Sequence, residues 1–339
     1  MVTIYDIAKM VGCAPSTVSK AFNNYNGVNK KTYQKIMETA ESLGYTMNNS
    51  ARALATKKTW LIGVLFCEDA GTGIAHQHYS TILQGFRSRA GECGYDVVFL
   101  NKRFGNKEAS FLEHCIYRGV DGVLIAVGAK YEHEIRDVLE SDIKRVSVES
   151  MYKKTPLVVS DNKMGSMQAL EYLYFLGHRK IAHIACPLWS VAGNERYEAY
   201  KEFLKLKGLE ENPKYIVETG SYAFEEGSKA AAELIQRCWG DLPTAVYAGY
   251  DDIAWTAMTT FQAHGFRVPD DISIVGFDDV TVSAYTTPTM TTVSQDRIAI
   301  GQKAADVLIQ SIENREMDAP AELRVPTKLI VRNSCVRIM

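Results

Sequence analysis

The sequence has no apolar run long enough to cross a membrane. Its longest apolar stretches, such as Val123–Val127, are much shorter than the roughly 20 residues that a transmembrane helix needs. The first six residues also contain no basic stretch followed by an apolar segment, which is the pattern of a signal peptide. These absences predict a cytoplasmic chain that is not associated with a membrane.

Paired cysteines are also missing. The seven cysteines are scattered along the chain, and none of them forms a C-x-x-C pair. An odd, dispersed set argues against both a zinc cluster and a disulfide framework. We therefore expect reduced thiols, most of which fill the core, and no metal site.

The common catalytic motifs are absent as well. The chain contains no G-x-S-x-G, P-loop or H-E-x-x-H motif, and no G-x-G-x-x-G after a predicted strand. His76 and His78 are two residues apart, so one helix face cannot present both of them. The sequence therefore predicts a protein that is not an enzyme and that has no cofactor.

What is present is an ordinary globular composition with an uneven distribution of charge. The 339 residues are 46% apolar and 23% charged, which suits about two domains with room for a small third. Residues 1–60, called the head below, carry a net charge of +5, and the remainder carries −7. A basic head on an acidic body indicates a polyanionic partner, although a chance cluster of solvated lysines would look the same.

The head is predicted to contain three short helices, because its apolar residues recur at helical spacing. These residues are Ile4, Ile7, Ala8 and Val11, then Val18, Ala21 and Phe22, and then Ile36, Met37, Ala40 and Leu43. Thr3–Asp6 fits a helix start in which Asp replaces the usual Glu or Gln, and Gly12 ends this first helix. A second helix is predicted over Pro15–Asn23. Asn29 can cap a third helix, which Gly44 ends. Two helices joined by a tight turn and braced by a third are the helix-turn-helix plan.

In that plan the second helix lies in the major groove of DNA. Short hydroxyls and a lysine can reach phosphates and base edges there. The alternative is a small helical bundle whose polar face only meets water. The outward residues of this helix are Pro15, Ser16, Thr17, Ser19 and Lys20.

The segment after these helices, Thr46–Thr59, could form about two helical turns, which are marginal by themselves in water. Leu54 is its one bulky apolar residue, and the segment offers no core to bury it. The segment is either a polar linker or a helix that forms only against a partner.

The body alternates strands with helices, which predicts parallel sheets covered by helices. About 280 residues exceed one sheet, and a break near residue 160 indicates two Rossmann-like lobes with a ligand site between them. The predicted strands are Leu61–Phe66, Asp96–Leu100, Gly122–Val127, Arg145–Val148, Ile181–Ala185, Ile216–Glu218, Ala245–Ala248, Ile272–Val275 and Lys328–Val331.

Ligand chemistry is expected at the carboxyl ends of these strands. Arg196 opens a helix after one strand, where a guanidinium can hold hydroxyls or a carboxylate. Asp278 and Glu149 follow other strands and can accept from hydroxyls, and the ring of Tyr222 could stack on a ligand ring. The alternative for each is a surface ion pair or a side chain that packs locally.

The head resembles the DNA-binding domain of the lactose-repressor/galactose-repressor family. Two departures stand out. Ala14 replaces a Ser that caps the recognition helix, and Lys20 replaces an Arg, so that a point charge stands where a bidentate contact is usual. The matching segments are Asp6–Gly12, Thr17–Asn23, Val28–Thr32 and Leu43–Tyr45.

The body resembles the periplasmic-binding-protein-like (type I) core of the same family. The resemblance implies a helix-turn-helix domain over 1–46, a hinge helix over 47–59 and a two-lobed effector-binding and dimerisation core over 60–339. The first lobe would comprise about 60–160 plus 290–320, and the second about 161–289 plus 321–339. Matching segments include Asp161–Asn162, Gly177–Ile181, Pro243–Ala245, Val268–Pro269, Gly276–Asp279 and Thr291–Val293.

The resemblance also implies the site residues. In this family the hinge folds on operator DNA, and the residue matching Leu54 wedges into the minor groove and kinks it. The implied DNA contacts are Tyr5, Pro15, Ser16, Thr17, Ser19, Lys20, Asn23, Thr32, Asn48, Ala51 and Leu54. The implied effector residues are His76, Gln77, Tyr79, Glu149, Ser190, Arg196, Tyr222, Tyr250, Asp278 and Gln295.

Tyr250 stands where the family often has Asn, which favours a ligand with a flat or apolar face over a plain sugar. The sequence thus predicts a repressor that acts as a homodimer on a near-palindromic operator and is controlled by a small, sugar-like ligand. No leucine-heptad tail is present, so a tetramer is not expected. The alternatives are a solute-binding protein without DNA function and a regulator controlled by a protein partner.

Overall fold

The computed structural model describes residues 2–22, 27–45, 58–67, 73–75, 77–104, 106–313 and 321–338. The chain forms two compact units, residues 1–60 and residues 61–339. Each unit is described by itself. The predicted fold class, a helical head and an α/β core of two lobes, is confirmed.

The head contains three helices, α1 (Ile4–Val11), α2 (Pro15–Phe22) and α3 (Lys30–Ser42). Their apolar faces meet in a small core around Ile7, Val18 and Ile36, each with no exposed surface. The helical spacing of the apolar residues therefore predicted both the helices and the faces that they bury.

The helix ends follow the predicted signals. The Asp6 carboxylate accepts a hydrogen bond from the Thr3 backbone N–H at 2.8 Å, and Asn29 Oδ1 accepts one from Thr32 N–H at 2.8 Å. Gly12 and Gly44 adopt φ values of 78° and 59°, a left-handed conformation that costs glycine little. The second helix ends at Phe22, and Asn23 lies outside the described residues.

The first lobe of the core contains a parallel six-stranded sheet. Its strand order is β13-β7-β6-β5-β1-β2. Because β5 is flanked by strands on both sides, all of its residues are buried. The bounds are β1 Leu61–Cys67, β2 Asp96–Phe99, β5 Gly122–Val127, β6 Lys144–Val148, β7 Leu157–Ser160 and β13 Glu322–Val325.

The second lobe contains another six-stranded sheet, in the order β14-β12-β11-β10-β8-β9. Its strands are parallel except for β14, which runs antiparallel to β12. The bounds are β8 Ile181–Ala185, β9 Ile216–Glu218, β10 Ala245–Ala248, β11 Ser273–Asp278, β12 Thr291–Gln295 and β14 Thr327–Ile330. A separate hairpin joins β3 (Arg103–Phe104) to β4 (Lys107–Glu108).

Helices connect the strands of both lobes. The sequence pattern predicts a helix over Glu132–Leu139. The structure shows instead a 3₁₀ segment, Ala129–Glu134, followed by a short α-helix, because Ile135 departs from helical geometry. The bounds are α4 Gln77–Glu92, α5 Phe111–Arg118, α6 Arg136–Glu140, α7 Asn162–Phe175, α8 Val191–Lys207, α9 Glu226–Arg237, α10 Asp251–Ala263 and α11 Arg297–Ile312.

The chain crosses between the lobes at places that the sequence did not predict. Strands β12 and β13, like β3, β4 and β7, are not among the predicted strands, and the expected lobe division is wrong at both β12 and β13. Strand β12 lies in the second sheet, although residues 290–320 were expected in the first lobe. Strand β13 lies in the first sheet, although residues 321–339 were expected in the second. Helix α11 does pack on α4 of the first lobe, where Gly301 and Gly85 permit close backbone approach.

The described residues form neither a membrane-spanning helix nor a cluster of metal ligands. No helix in the described parts of the chain is both long and apolar enough to span a membrane. Within those same parts, no three His, Cys, Asp or Glu side chains converge as metal ligands would.

Candidate functional site

The outward face of α2 lies on the surface of the head. Ser16 and Lys20 are exposed, and Pro15, Thr17 and Ser19 are half-buried. Val18 and Ala21 on the opposite face are buried in the helical core. The helix therefore presents short hydroxyls and one lysine to the outside, as a recognition helix does.

The remaining predicted DNA contacts divide into two groups. Tyr5 is 68% exposed on α1, and Thr32 is half-buried in the first turn of α3. The other predicted DNA contacts lie outside the described residues: Asn23, Asn48, Ala51 and Leu54. His76, which is predicted to contact the effector, also lies outside them.

A cavity of about 530 Å³ lies between the two lobes of the core and is called the cleft below. Loops from both sheets form its walls, and each loop follows the carboxyl end of a strand. This is where open α/β sheets bind ligands. The first lobe contributes residues 75, 77–79, 128–129 and 149–150, and the second lobe contributes parts of 189–196, 222–225, 250–252 and 278–280.

The structure brings together all but one of the described residues that were predicted for the ligand. Gln295 does not line the cleft. It lies behind the wall, where its amide donates to Asp278 and its oxygen accepts from Ser160. The predicted residues that line the cleft are Gln77, Tyr79, Glu149, Ser190, Arg196, Tyr222, Tyr250 and Asp278.

Arg196, on the second turn of α8, is 3% exposed and is held from several directions. Its Nε donates to Asn162 Oδ1 at 3.0 Å, and its Nη1 donates to the Gly249 carbonyl at 2.5 Å. The guanidinium lies 3.6 Å from the ring centroid of Phe277. These contacts fix its plane before any ligand arrives, so the group is preorganised.

Asp278 lies at the end of β11 with its Oδ1 3.6 Å from Arg196 Nη1. Burial raises the pKa of Asp278, while the guanidinium groups of Arg196 and Arg297 oppose that rise. Its backbone φ of 115° is rare for a residue with a side chain. Strained backbone of this kind is concentrated at binding sites, where surrounding contacts maintain it.

Behind Asp278, the carboxylate of Asp251 ties three segments together. It accepts from the Val280 backbone N–H at 3.0 Å, from Ser283 Oγ at 2.6 Å and from Thr292 Oγ1 at 2.5 Å. Burial and the nearby Asp278 raise the pKa of Asp251 to about 8, and the hydroxyl donors oppose that rise. The network holds the loop after β11 against β12.

Glu149 faces this wall from the first lobe. Its side chain is 8% exposed, and its Oε1 finds no hydrogen-bond partner among the described residues. Burial raises the pKa of Glu149 to about 7, against the attraction of Arg196. His78 Nε2 lies 3.9 Å from Oε1, too far for a hydrogen bond. The backbone φ of Glu149 is 60°, again a left-handed value.

Aromatic rings form much of the second-lobe wall. The Tyr222 hydroxyl shares a 2.7 Å hydrogen bond with Ser190 Oγ, and its ring lies 5.2 Å from that of Tyr250. Trp189 packs edge-on against Tyr222 at 6.0 Å. The buried hydroxyl of Tyr250 has no hydrogen-bond partner in the described structure. The wall therefore offers flat apolar faces with an unsatisfied polar atom.

Two polar contacts join the lobes beside the cleft. Gln77 Nε2 donates to Thr281 Oγ1 at 2.7 Å, and Arg324 of β13 donates to Glu195 of α8 at 2.6 Å. Glu195 also accepts from Asn162, the partner of Arg196. The cleft residues are thus bonded to the segments that connect the lobes.

Sequence reasoning missed several residues that line the cleft. Trp189 and Phe224 are aromatic, and Asp252 and Glu225 add two carboxylates. All four follow the carboxyl ends of strands, as the predicted residues do, and this shared position is the signal that could have found them. His78 also lines the cleft, within the predicted loop 76–79.

The arrangement suits a small ligand with hydroxyl groups and a flat face. Buried carboxylates accept hydrogen bonds from hydroxyls, and aromatic rings pack against apolar ring faces. A volume of about 530 Å³ lies within the range of small-molecule sites.

The sequence matches two known protein families. Residues 3–48 match bacterial regulatory proteins of the lacI family, and residues 170–335 match the periplasmic binding protein-like domain. Catabolite control protein A of Priestia megaterium is 30% identical over 338 residues, which cover 98% of this chain and 99% of that protein.

Solved structures show the same architecture. The Lac repressor dimer bound to operator and the anti-inducer ONPF superimposes with a TM-score of 0.79 at 26% identity, covering 99% of both chains. The complex of the transcriptional regulator CelR with cellobiose gives a TM-score of 0.69 at 29% identity, covering 98% of this chain and 100% of that one.

The similarity extends over the helix-turn-helix head and the two-lobed core in one continuous alignment. The family predicted from the sequence is therefore confirmed. This chain belongs to the lacI family of bacterial regulatory proteins.

Proposed function

We propose that the chain is a transcriptional repressor that binds operator DNA through its head and is controlled by a small hydroxylated ligand in the cleft. The observation that carries this proposal is the cleft itself. Eight residues predicted for ligand binding line one cavity between two lobes, in a chain that also presents a recognition helix. The protein acts in the cytoplasm, where its DNA is.

The DNA contact is made by the exposed face of α2. Ser16 and Lys20 reach bases, while Tyr5 and Thr32 contact the backbone. As the family resemblance implies, we also propose that the hinge 47–59 folds on the operator and inserts Leu54 into the minor groove. Leu54 lies outside the described residues. Two heads of a homodimer read the two halves of a near-palindromic site, because twofold symmetry requires related half-sites.

Ligand control depends on the contacts between the lobes. A ligand held by Arg196 and Asp278 of the second lobe and by Glu149 of the first favours one relative arrangement of the lobes. Differential binding of about 1–3 kcal/mol is enough to change operator affinity 5- to 150-fold. The Gln77–Thr281 and Arg324–Glu195 contacts are the bonds that such a change would alter first.

The test selects DNA from a random library with the full chain and measures affinity for the selected site by fluorescence anisotropy. We expect a near-palindromic sequence bound at least 10³-fold more tightly than random DNA, a typical lower bound for specific recognition. Selection of no consensus site would refute the DNA-binding proposal. Analytical ultracentrifugation of the same sample checks the dimer.

A thermal-shift screen with sugars, sugar phosphates, nucleosides and purines then tests ligand control. Any compound that raises the melting temperature and changes operator affinity supports it. A matched Arg196→Ala variant should lose the response to that compound. If the folded variant responds at the same ligand concentration, Arg196 does not bind the ligand.

A further inference from the structure

The cleft is rich in carboxylates and poor in cations. Four acidic side chains line it: Glu149, Glu225, Asp252 and Asp278. Among the described residues of its walls, Arg196 is the one lysine or arginine. A ligand that enters therefore meets an excess of negative charge, and an anionic ligand would be repelled.

Arg196 offsets only part of this excess, because one guanidinium, 3.6 Å from Asp278, faces four carboxylates on the described walls. Its Nε and Nη1 donate to Asn162 and Gly249, and Asp278 lies 3.6 Å away. Arg297, behind the wall, donates to the Asp279 carbonyl at 3.1 Å. Arg297 does not line the cleft, so the cations on its described walls amount to the one guanidinium of Arg196.

Glu149 is a buried acidic group of the cleft whose carboxylate is only partly bonded, with the Ser160 backbone as one partner. The charged and titratable groups around it are His78, Arg196, Asp278 and Glu195. Its Oε1 is buried without a hydrogen bond in the described structure. Burying a carboxylate oxygen in this position costs free energy unless a donor group forms a hydrogen bond to it. A hydroxyl supplies the hydrogen bond alone, whereas an ammonium group supplies the hydrogen bond and the opposite charge.

The aromatic wall adds a second attraction for a cation. Tyr79, Trp189, Tyr222 and Tyr250 all line the cleft. The faces of aromatic rings carry partial negative charge and attract ammonium groups, and they also pack on the apolar face of a sugar ring. The unpartnered hydroxyl of Tyr250 can bond a ligand hydroxyl.

We propose that the cleft selects an amino sugar of one or two rings, with its ammonium group against the Glu149 carboxylate. The proposal rests on the proposed function, because it names the ligand class of the same cleft. The sugar hydroxyls meet Asp278 and Tyr250, and the ring packs on Tyr222. Uronic acids and sugar phosphates are excluded by the surplus of negative charge.

Proton exchange accompanies this binding. Burial raises the pKa of Glu149 to about 7, so near neutral pH part of the ligand-free protein carries a proton there. An ammonium group favours the ionised carboxylate and expels that proton. Binding of the amino sugar therefore releases more protons near pH 7 than binding of a neutral sugar, whose hydroxyl supplies a hydrogen bond and no opposite charge.

The experiment is isothermal titration calorimetry of the full chain with probes matched in shape and different in charge. The single-ring set is glucose, glucosamine and glucuronate, and the two-ring pair is cellobiose and the β-1,4-linked dimer of glucosamine. We expect the amino member of at least one set to bind about tenfold more tightly than its neutral counterpart, as for one charged hydrogen bond in a buried site. Titration in two buffers of different ionisation enthalpy measures the released protons.

Glu149→Gln should reduce that preference to about twofold or less, because the amide keeps the shape and loses the charge. Glu198→Gln is the matched control, since it removes a carboxylate on the outer face of α8 that pairs with Lys201 at 3.2 Å. It should keep the full preference. If Glu149→Gln does not fold, the ranking of probes and the proton release in the unmodified chain decide the question.

The proposal is overturned if the neutral or acidic probes bind as tightly as the amino probes, if no amino probe binds, or if Glu149→Gln keeps the preference. None of these results contradicts the proposed function if another ligand still changes operator affinity. The proposed function fails on a separate result, the absence of sequence-specific DNA binding by the full chain.

Discussion

The head and the cleft hold their charges in opposite ways. On the head, Lys20 and Ser16 of the recognition helix lie exposed to water. In the cleft, Arg196 and Asp278 are enclosed by hydrogen bonds and by each other. Exposed charges are screened and adaptable, so they suit a polyanion whose phosphates repeat along its length. Buried charges are strong and fixed, so they suit one small ligand of defined shape.

This difference has a direct consequence for mutations. A charge removed from the head should change DNA binding with little effect on folding. A charge removed from the cleft should change folding and ligand binding together, because it leaves a buried partner unpaired. The predictions below test that contrast, from the largest expected change in the free energy of unfolding to the smallest.

Arg196→Ala should lower the free energy of unfolding by about 3–5 kcal/mol, because it leaves Asp278 and Asn162 without their buried donor. Arg179→Ala is the matched control. Arg179 is an exposed arginine stacked on Tyr174 at 3.6 Å, and its removal should cost about 1 kcal/mol or less. Urea denaturation of the two variants measures the difference. Equal losses would show that Arg196 is not part of a preorganised network.

Glu149 should make the ligand-free protein less stable as pH rises. Burial raises its pKa from 4.5 to about 7, so between these values the folded state binds more protons than the unfolded state. The free energy of unfolding should then fall by up to about 3 kcal/mol from pH 4.5 to pH 7. Urea denaturation across that range should show a flatter profile for Glu149→Gln. Parallel profiles for the two proteins would contradict the prediction.

Asn29→Ala should destabilise α3 by about 1 kcal/mol, because Asn29 Oδ1 caps the helix through Thr32 N–H. Asn29→Asp keeps an acceptor at the same place and should restore most of the loss. Hydrogen exchange of the α3 amides in the full chain measures both. Exchange that is unchanged in Asn29→Ala would show that the cap is not needed.

Lys20→Ala should change the free energy of unfolding by less than about 0.5 kcal/mol, as is usual for an exposed side chain. If Lys20 contacts a phosphate, operator affinity should weaken and the slope of log affinity against log salt should become less negative by about 0.9. If it reads a base, the slope should stay and one position of the site should lose its preference. Lys201→Ala, on α8 of the core, is the control for both. Unchanged affinity and selectivity would remove Lys20 from the interface.

Most of the fold that could be predicted follows from local patterns in the sequence. Apolar residues at helical spacing, together with Thr3, Gly12 and Asn29 at the helix ends, predicted the head almost to the residue. Continuous apolar runs predicted the central strands, such as Gly122–Val127. These signals depend on neighbours in sequence, so they are visible without the tertiary structure.

The two missed strands at which the expected lobe division fails, β12 and β13, lack such local signals. Strand β12, Thr291–Gln295, is rich in threonine and serine, and its hydroxyls are buried through bonds to Asp251 and other distant groups. Strand β13 is an edge strand with exposed polar residues. Each belongs to its sheet because of its partner strand and not because of its own composition.

The features of the cleft also divide into those that the sequence predicts and those that depend on tertiary contacts. The convergence of the carboxyl ends of parallel strands at one edge, a rule that depends only on the order of strands and helices, predicted Arg196, Asp278, Glu149 and Tyr222. The family resemblance implied the other predicted residues of the cleft. The pairing of Arg196 with Asp278, the position of Gln295 behind the wall and the unpartnered Oε1 of Glu149 could not be predicted. Each depends on distances between segments that are far apart in sequence.

The sequence by itself determined the family, the helices of the head and eight of the residues that line the cleft, because these follow from short-range patterns and motif order. The tertiary structure alone decided which sheet each late strand joins, which charges are neutralised and which are left for a ligand. Those outcomes depend on burial, which removes water as a hydrogen-bond partner and strengthens the electrostatic contacts that remain.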